Sequence, residues 1–293
     1  MSKNEKREYI KPSIELLKDG ENSLKSFIQS ERFLEKTDGI DICLGVTEDG
    51  EKYIVDLTKL SNLLIVGWSG MGKTVLINFL ITGLLYKYSP EELQLAIFDL
   101  YGCGYKCYKN LPHMLFSKPI EDYSETMEGL KKLIDEMNRR RKILEDCSNE
   151  NIIEYNKNLE KKEALPRIII IVDELANFMW HSKGSLDFIM SLVALSLFGR
   201  KVGIHVIATT QRPADEIVTG LIENRFFARI AFRLDHEVAS MRFLGIAGAE
   251  KLIKYGDMFF LSSDMKEPIK LKGIYSDHLE RKDICDFIRE NNC

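Results

Sequence analysis

The sequence predicts an α/β fold: a largely parallel central sheet with helices on both faces. Two observations carry that expectation. Strand and helix signals alternate along the chain, the pattern of a parallel sheet covered by crossover helices. A glycine-rich turn also joins an apolar strand to an apolar helix at "LLIVGWSGMGKT", residues 63–74. At 293 residues the chain has room for one large α/β domain or two small ones. It reads as a lead segment, 1–40, followed by a domain over 41–293.

The elements follow in order. "KYIVDL" (52–57) and "NLLIVG" (62–67) read as strands, and "GKTVLINFLITGLLYKY" (72–88) as a core helix. "SPEEL" (89–93) carries a helix-start signal: a Ser cap, Pro at the first position and Glu at the third. "LQLAIFDL" (93–100) is the next strand. Residues 122–147 read as a helix with its charges on one face. The Asn-, Glu- and Lys-rich stretch 148–165 reads as an exposed, partly helical excursion. "RIIIIVDEL" (167–175) is a buried strand ending in two acids, and "GIHVIATTQRP" (203–213) a strand ending in polar residues. "FFARIAFRL" (226–234), "DMFFLSS" (257–263) and "PIKLKGIY" (268–275) complete the sheet. "SDHLERKDICDFIREN" (276–291) closes the chain as a helix.

Composition excludes several classes. A 45% hydrophobic and 29% charged chain is ordinary for a globular protein. The net charge of −4 excludes a uniformly basic nucleic-acid binder, so any such contact needs a local patch or an assembly. No apolar run has the length of a membrane span, so no direct membrane insertion is expected. Six scattered cysteines predict reduced thiols and a cytoplasmic location. "CGYKC" (103–107) is a lone C-x3-C without the second pair a zinc site needs.

Gly67, Trp68, Ser69, Gly70, Met71, Gly72, Lys73 and Thr74 fit the phosphate-cradle pattern G-x-x-x-x-G-K-[ST], the signature of a P-loop NTPase. Its glycines let successive N–H groups point at an anion, and the following helix adds its positive end. Lys73 is expected at the β- and γ-phosphates of ATP, and Thr74 on Mg²⁺. About 100 residues later "IIIIVDE" supplies two acids. Asp173 is expected to hold a water on Mg²⁺, and Glu174 to orient and deprotonate the attacking water. Gln211, at the end of a strand beside these, is expected to sense the γ-phosphate. An arginine for the transition state has two candidates, Arg200 and Arg229. His113 and His205 read as structural, and Tyr101, Tyr105 and Tyr108 as packing. Arg139, Arg140 and Arg141 are a candidate phosphate contact, set against the usual solvated helix face.

"VGWSGMGKT", "IIIIVDELANFM", "GRKVGIHVIATTQRP" and "VTGLIENRFFARIAFRL", in this order, resemble the motor domain of the FtsK/SpoIIIE DNA translocases. "LPHML", "EMNRRRKIL", "AGAEKLIKYGDMFFL" and "EPIKLKGIY" extend the likeness over nearly all of 40–290. The resemblance implies a RecA-like motor that assembles as a hexameric ring around double-stranded DNA and steps with ATP hydrolysis. It implies that Lys73, Thr74, Asp173, Glu174 and Gln211 hold their family roles, and it favours Arg200 as an arginine acting on a neighbouring subunit. It is compatible with a membrane-bound or transfer-machinery partner.

The sequence departs from the family in several places. Only a few residues separate "YIKPSIELL" from "NSLKSFIQSERFL", so the ring-forming α subdomain is expected to be absent, as is a C-terminal winged-helix module. The family's Asp-Pro-Lys is Asp99-Leu100-Tyr101, and its Asp-Ser-Arg is Ala239-Ser240-Met241. These changes fit a reduced relative, such as one encoded on a mobile element, working in conjugative transfer or partition. Two other readings stand beside this one: a protein-export or coupling ATPase similar to the type VII secretion motors, and a nucleotide-binding switch or small-molecule kinase.

Overall fold

A computed structural model describes residues 9–102, 104–157, 159, 163–181, 185–211 and 220–292. Its strands are β1 (Asp41–Thr47), β2 (Lys52–Asp56), β3 (Leu63–Val66), β4 (Leu93–Phe98), β5 (Arg167–Val172), β6 (Ile204–Thr210), β7 (Ala228–Ala231), β8 (Asp257–Leu261) and β9 (Ile269–Lys272). The α-helices are α1 (Leu24–Ile28), α2 (Glu31–Leu34), α3 (Leu57–Leu60), α4 (Lys73–Lys87), α5 (Tyr123–Asp146), α6 (Ile152–Lys157), α7 (Leu175–Met179), α8 (Ser185–Phe198), α9 (Gly220–Glu223), α10 (Glu237–Leu244) and α11 (His278–Asn292). Among the described residues the strands form one sheet in the order β2-β1-β9-β8-β7-β3-β6-β5-β4.

The sheet has two halves. From β7 through β3, β6 and β5 to β4 every pairing is parallel. From β7 outward through β8, β9 and β1 to β2 every pairing is antiparallel. The parallel half is covered on both faces, which is why its strands read as unbroken apolar runs. Alternate side chains go to opposite cores. Leu63, Ile65, Ile169 and Ile171 face the core under α4, while Leu64, Val66, Ile168 and Ile170 face the core under α5 and α8. Trimming one of these, as in Ile170→Ala, costs about 2–5 kcal/mol through the cavity it leaves.

Helix α4 is buried on almost every side. Leu76, Phe79 and Leu80 share a core with Leu24 and Phe27 of α1 and Phe33 of α2. This explains an apolar helix with no polar stripe: the lead segment covers the side that the sheet does not. Helix α5 is amphipathic, with Leu130, Leu133, Met137 and Leu144 turned inward. Its Asp122 cap accepts the Glu125 N–H at 2.9 Å.

Several places differ from the sequence reading. "SPEEL" closes a single turn instead of starting a helix. Glu92 and Leu93 N–H both return to Ser89 O at 2.9 Å, and Glu92 Oε2 accepts the Ser89 N–H at 2.9 Å. Leu93 is already the first residue of β4 and pairs with Arg167, so the turn cannot propagate. Strand β1 is an added strand, disguised by a bulge between Cys43 and Gly45. Helices α1, α2, α3, α7, α8, α9 and α10 also went unread.

Candidate nucleotide-binding site

Strand β3 runs between β6 and β7, so its end at Val66 opens onto the middle of the parallel half. There the chain turns at Gly67, with φ of 147°. A Cβ on Gly67 would stand 2.5 Å from Phe232 Cβ, so the close approach admits only glycine. Gly70 and Gly72 also have positive φ, 78° and 121°. The Trp68 N–H donates to Arg233 O at 2.9 Å, and the Arg233 guanidinium lies 4.4 Å over the Trp68 ring. Trp68 Nε1–H donates to Asp235. Met71 points into the core, and its carbonyl accepts the Gly256 N–H at 3.1 Å. Gly67, Trp68 and Met71 thus shape the loop from behind.

The loop delivers the chain into α4, whose first residue is Lys73. Gly72 caps the helix without a side-chain bond, so the first N–H groups are left for a ligand. Lys73 is buried and donates to Gly67 O at 2.6 Å and Trp68 O at 3.0 Å. Burial lowers its pKa from 10.5, and the charges of Glu174 and Asp173 pull it back up.

A cavity of about 380 Å³ lies in front of this loop, lined by Ser69, Gly70, Gly72, Lys73 and Thr74. Asp173, Glu174 and Gln211 line the same cavity. The sheet order brings these last three together. Strand β5 lies beside β6, so the residues after Val172 and after Thr210 meet at one edge. Burial raises the Asp173 pKa, against the opposing effect of the Thr209 hydroxyl, which donates to Asp173 Oδ1 at 2.6 Å. The same Thr209 oxygen accepts the Glu174 N–H at 2.9 Å. The Glu174 carboxylate accepts from the Thr210 hydroxyl at 2.9 Å and from the Gln211 N–H at 2.9 Å. Glu174 itself is left-handed, φ 55° and ψ 81°, a conformation that costs a non-glycine residue about 1–3 kcal/mol. Such strain is kept where the site needs the side chain held to one side.

The sequence reading missed three members. Thr209 and Thr210 tie the two acids to β6. Asp99, at the end of β4 and 3% exposed, also lines the cavity. "IFD" signals it faintly: an apolar strand ending in an acid, as in "IIIIVD".

Arg200 is not brought to this cavity. It precedes β6 at the opposite end of the strand from Gln211, about 20 Å away along seven residues. Its Nε donates to Thr58 O at 3.1 Å. Arg229 is engaged internally: Nη1 donates to Phe243 O at 2.9 Å and pairs with Glu223. Arg140 is buried and donates to Pro166 O and Val202 O, while Arg139 pairs with Glu136. That leaves Arg141, over the Phe198 ring, outside this internal pairing. His113 and His205 are buried against carbonyls of Tyr88 and Ser61, as expected of structural residues. Tyr105 and Tyr108 are buried and stacked; Tyr101 is 70% exposed at the cavity, so it does not pack with them. Cys103 of the C-x3-C lies outside the described residues.

The donor set suits Mg²⁺. A hydroxyl and a carboxylate oxygen are hard ligands, and magnesium typically takes one or two carboxylates together with phosphate oxygens. Thr74 and Asp173 would hold it. With Lys73, the loop N–H groups and Glu174, the cavity has the parts for binding a triphosphate and directing a water at it.

The model of the FtsK/SpoIIIE family matches residues 23–215. The chain belongs to the FtsK/SpoIIIE family. The DNA translocase FtsK of Clostridium tetani is 34% identical over 274 residues, covering 92% of this chain and 36% of the relative. The DNA translocase SpoIIIE of Bacillus subtilis is 32% identical over 274 residues, 91% of this chain and 34% of the relative. The chain therefore spans about a third of these relatives' length. Among solved structures, the pCW3 conjugation coupling protein TcpA with ATPγS superposes with a TM-score of 0.72 at 23% identity, covering 89% of this chain and 72% of that one. EssC of Geobacillus thermodenitrificans (ATPases 2 and 3) superposes with a TM-score of 0.74 at 20% identity, over 88% and 50%. These likenesses bear on the fold, and the P-loop α/β architecture expected from the sequence is the one observed.

Proposed function

We propose that the chain is an ATP-hydrolysing motor that moves double-stranded DNA as a ring-like oligomer, hexameric as in the family it resembles, in conjugative transfer or partition. The observation that carries this reading is one cavity in which Lys73, Thr74, Asp173 and Glu174 face each other. Relatives named as DNA translocases supply the cargo. Residues 41–293 would be the motor unit and 1–40 its lead, from which Leu24, Phe27 and Phe33 pack on α4.

Each side chain has a task. The loop N–H groups and Lys73 bind and orient the β- and γ-phosphates. Thr74 and Asp173 hold Mg²⁺, which supplies charge neutralisation at the phosphates. Glu174 takes the proton of the attacking water, and Gln211, bonded to it, registers loss of the γ-phosphate. The distance of Arg200 from the cavity of its own chain supports action on a neighbour's nucleotide. Four described cysteines, Cys43, Cys107, Cys147 and Cys285, are unpaired, which supports a cytoplasmic location. Among the described residues no helix is long and apolar enough to cross a membrane. A membrane-bound or transfer-machinery partner is part of this reading.

ATP turnover titrated with double-stranded DNA, single-stranded DNA and no polymer tests the reading. Double-stranded DNA should stimulate turnover, and the effect should fade steeply with salt. Turnover indifferent to DNA at all protein and salt concentrations would overturn it. Stimulation by a polypeptide and not by DNA would assign the motor to export.

A further inference from the structure

We propose that Asp99 is a second acidic anchor for the divalent cation accompanying the bound nucleoside triphosphate, holding the cation's water shell beside Asp173. The inference rests on the nucleotide-binding reading above and adds a positioning residue to it.

Register puts the two acids side by side. Strands β4 and β5 are parallel and paired through Phe98 and Val172. The Asp173 N–H donates to Phe98 O at 2.9 Å, so Asp99 and Asp173 leave adjacent strand ends together. Both carboxylates line the cavity that holds Lys73 and Thr74. Backbone donors fix Asp99 there: Oδ1 accepts the Tyr101 N–H at 3.1 Å and Oδ2 accepts the Gly104 N–H at 3.3 Å. The same turn brings Asp99 close to Thr74. A Cβ on Gly104 would stand 2.9 Å from Thr74 Cγ2 and 4.0 Å from Asp99 Oδ2.

Charge points the same way. Among the described residues lining the cavity, Asp99, Asp173 and Glu174 face a single cation, Lys73. A divalent cation among them restores the balance, whereas a triphosphate alone meets added repulsion. Tyr105 is 1% exposed, and its hydroxyl lies beside Asp173 and Asp99, within reach of the Asp173 carboxylate.

The competing role for Asp99 is to pin the turn 99–104 and nothing more. The two roles differ in sign. If Asp99 serves the cation, Asp99→Asn weakens metal binding but leaves metal-free nucleotide binding unchanged or tighter, because one repelling charge is gone. If it only pins the turn, both affinities fall together.

The test uses the full chain with ATPγS and Mn²⁺ as the metal probe. Mn²⁺ affinity of the protein–ATPγS complex is read by electron paramagnetic resonance, and ATPγS affinity in EDTA by titration. For Asp99→Asn we expect Mn²⁺ affinity to fall about tenfold, with no loss of affinity in EDTA. Unaltered Mn²⁺ affinity, or equal losses in both measurements, would overturn the proposal. Asp99→Ser, which can still accept an N–H of the turn, replaces the first variant if that one melts early. Failure of the wild-type chain to bind ATPγS would overturn the nucleotide reading along with this one.

Discussion

Glu174 and Gln211 are bonded across two neighbouring strand ends: Glu174 Oε2 accepts the Gln211 backbone N–H at 2.9 Å. The end of strand β6 thereby holds the acid proposed to activate water, so a shift of the backbone at residue 211 would shift that acid.

Replacing Glu174 by Gln keeps the shape of the side chain and removes its basicity. ATPγS binding should persist, while hydrolysis should fall by about 10²–10⁴-fold. Phosphate release and nucleotide titration measure the two separately. Near-normal turnover would remove Glu174 from the role of base.

Thr209 ties both acids to β6 through one oxygen. Thr209→Val fills the same space but leaves the Glu174 N–H and an Asp173 oxygen without that partner. The expected loss is about 1–3 kcal/mol of stability, with slower turnover at unchanged nucleotide affinity. Thr209→Ser should behave as wild type. A valine variant with wild-type melting temperature and turnover would show that the bridge is dispensable.

Arg200 lies at the far end of β6 from the cavity, so it should act only between copies. Arg200→Ala should depress turnover by about a thousandfold, and Lys73→Ala should weaken nucleotide binding. Mixing the two variants should restore part of the activity, since one interface then pairs an intact cradle with an intact arginine. Strictly additive activity on mixing would refute action in trans.

Burial holds His113 and His205 neutral and pushes the pKa of each down to about 4. The unfolded chain, with histidine near 6.5, binds these protons more readily than the folded one. The stability they contribute is whole above about pH 6.5 and is lost as pH falls toward 4, up to about 3 kcal/mol each. Urea unfolding from pH 7.5 to 4.5 should show this decline, and His205→Gln should flatten it. An equal slope in wild type and variant would contradict the assignment.

Much of the site was legible because its parts are local. The cradle Gly67–Thr74 is one continuous stretch whose glycines and lysine work at fixed spacing. Asp173 and Glu174 announce themselves at the end of an apolar strand. Asp99, Thr209 and Thr210 did not stand out. Their importance comes from which strand lies beside which, and strand order is not a local property. The helix start at Ser89 failed for a related reason: Glu92 does reach back to the Ser89 N–H, but Leu93 is claimed by the sheet. Strand β1 was hidden by the bulge at Gly45, which interrupts the alternation that marks a strand.

The sequence by itself determined the alternation of strands and helices, the phosphate cradle and the acids meant to face it, because these follow from spacing and side-chain chemistry over a few residues. Tertiary structure alone decided that Asp99 leaves β4 beside Asp173, that Thr209 and Gln211 hold the two acids, and that Arg200 faces away from its own cavity. The physical reason is that hydrogen bonds between strands distant in sequence set the register, and the register chooses which side chains meet.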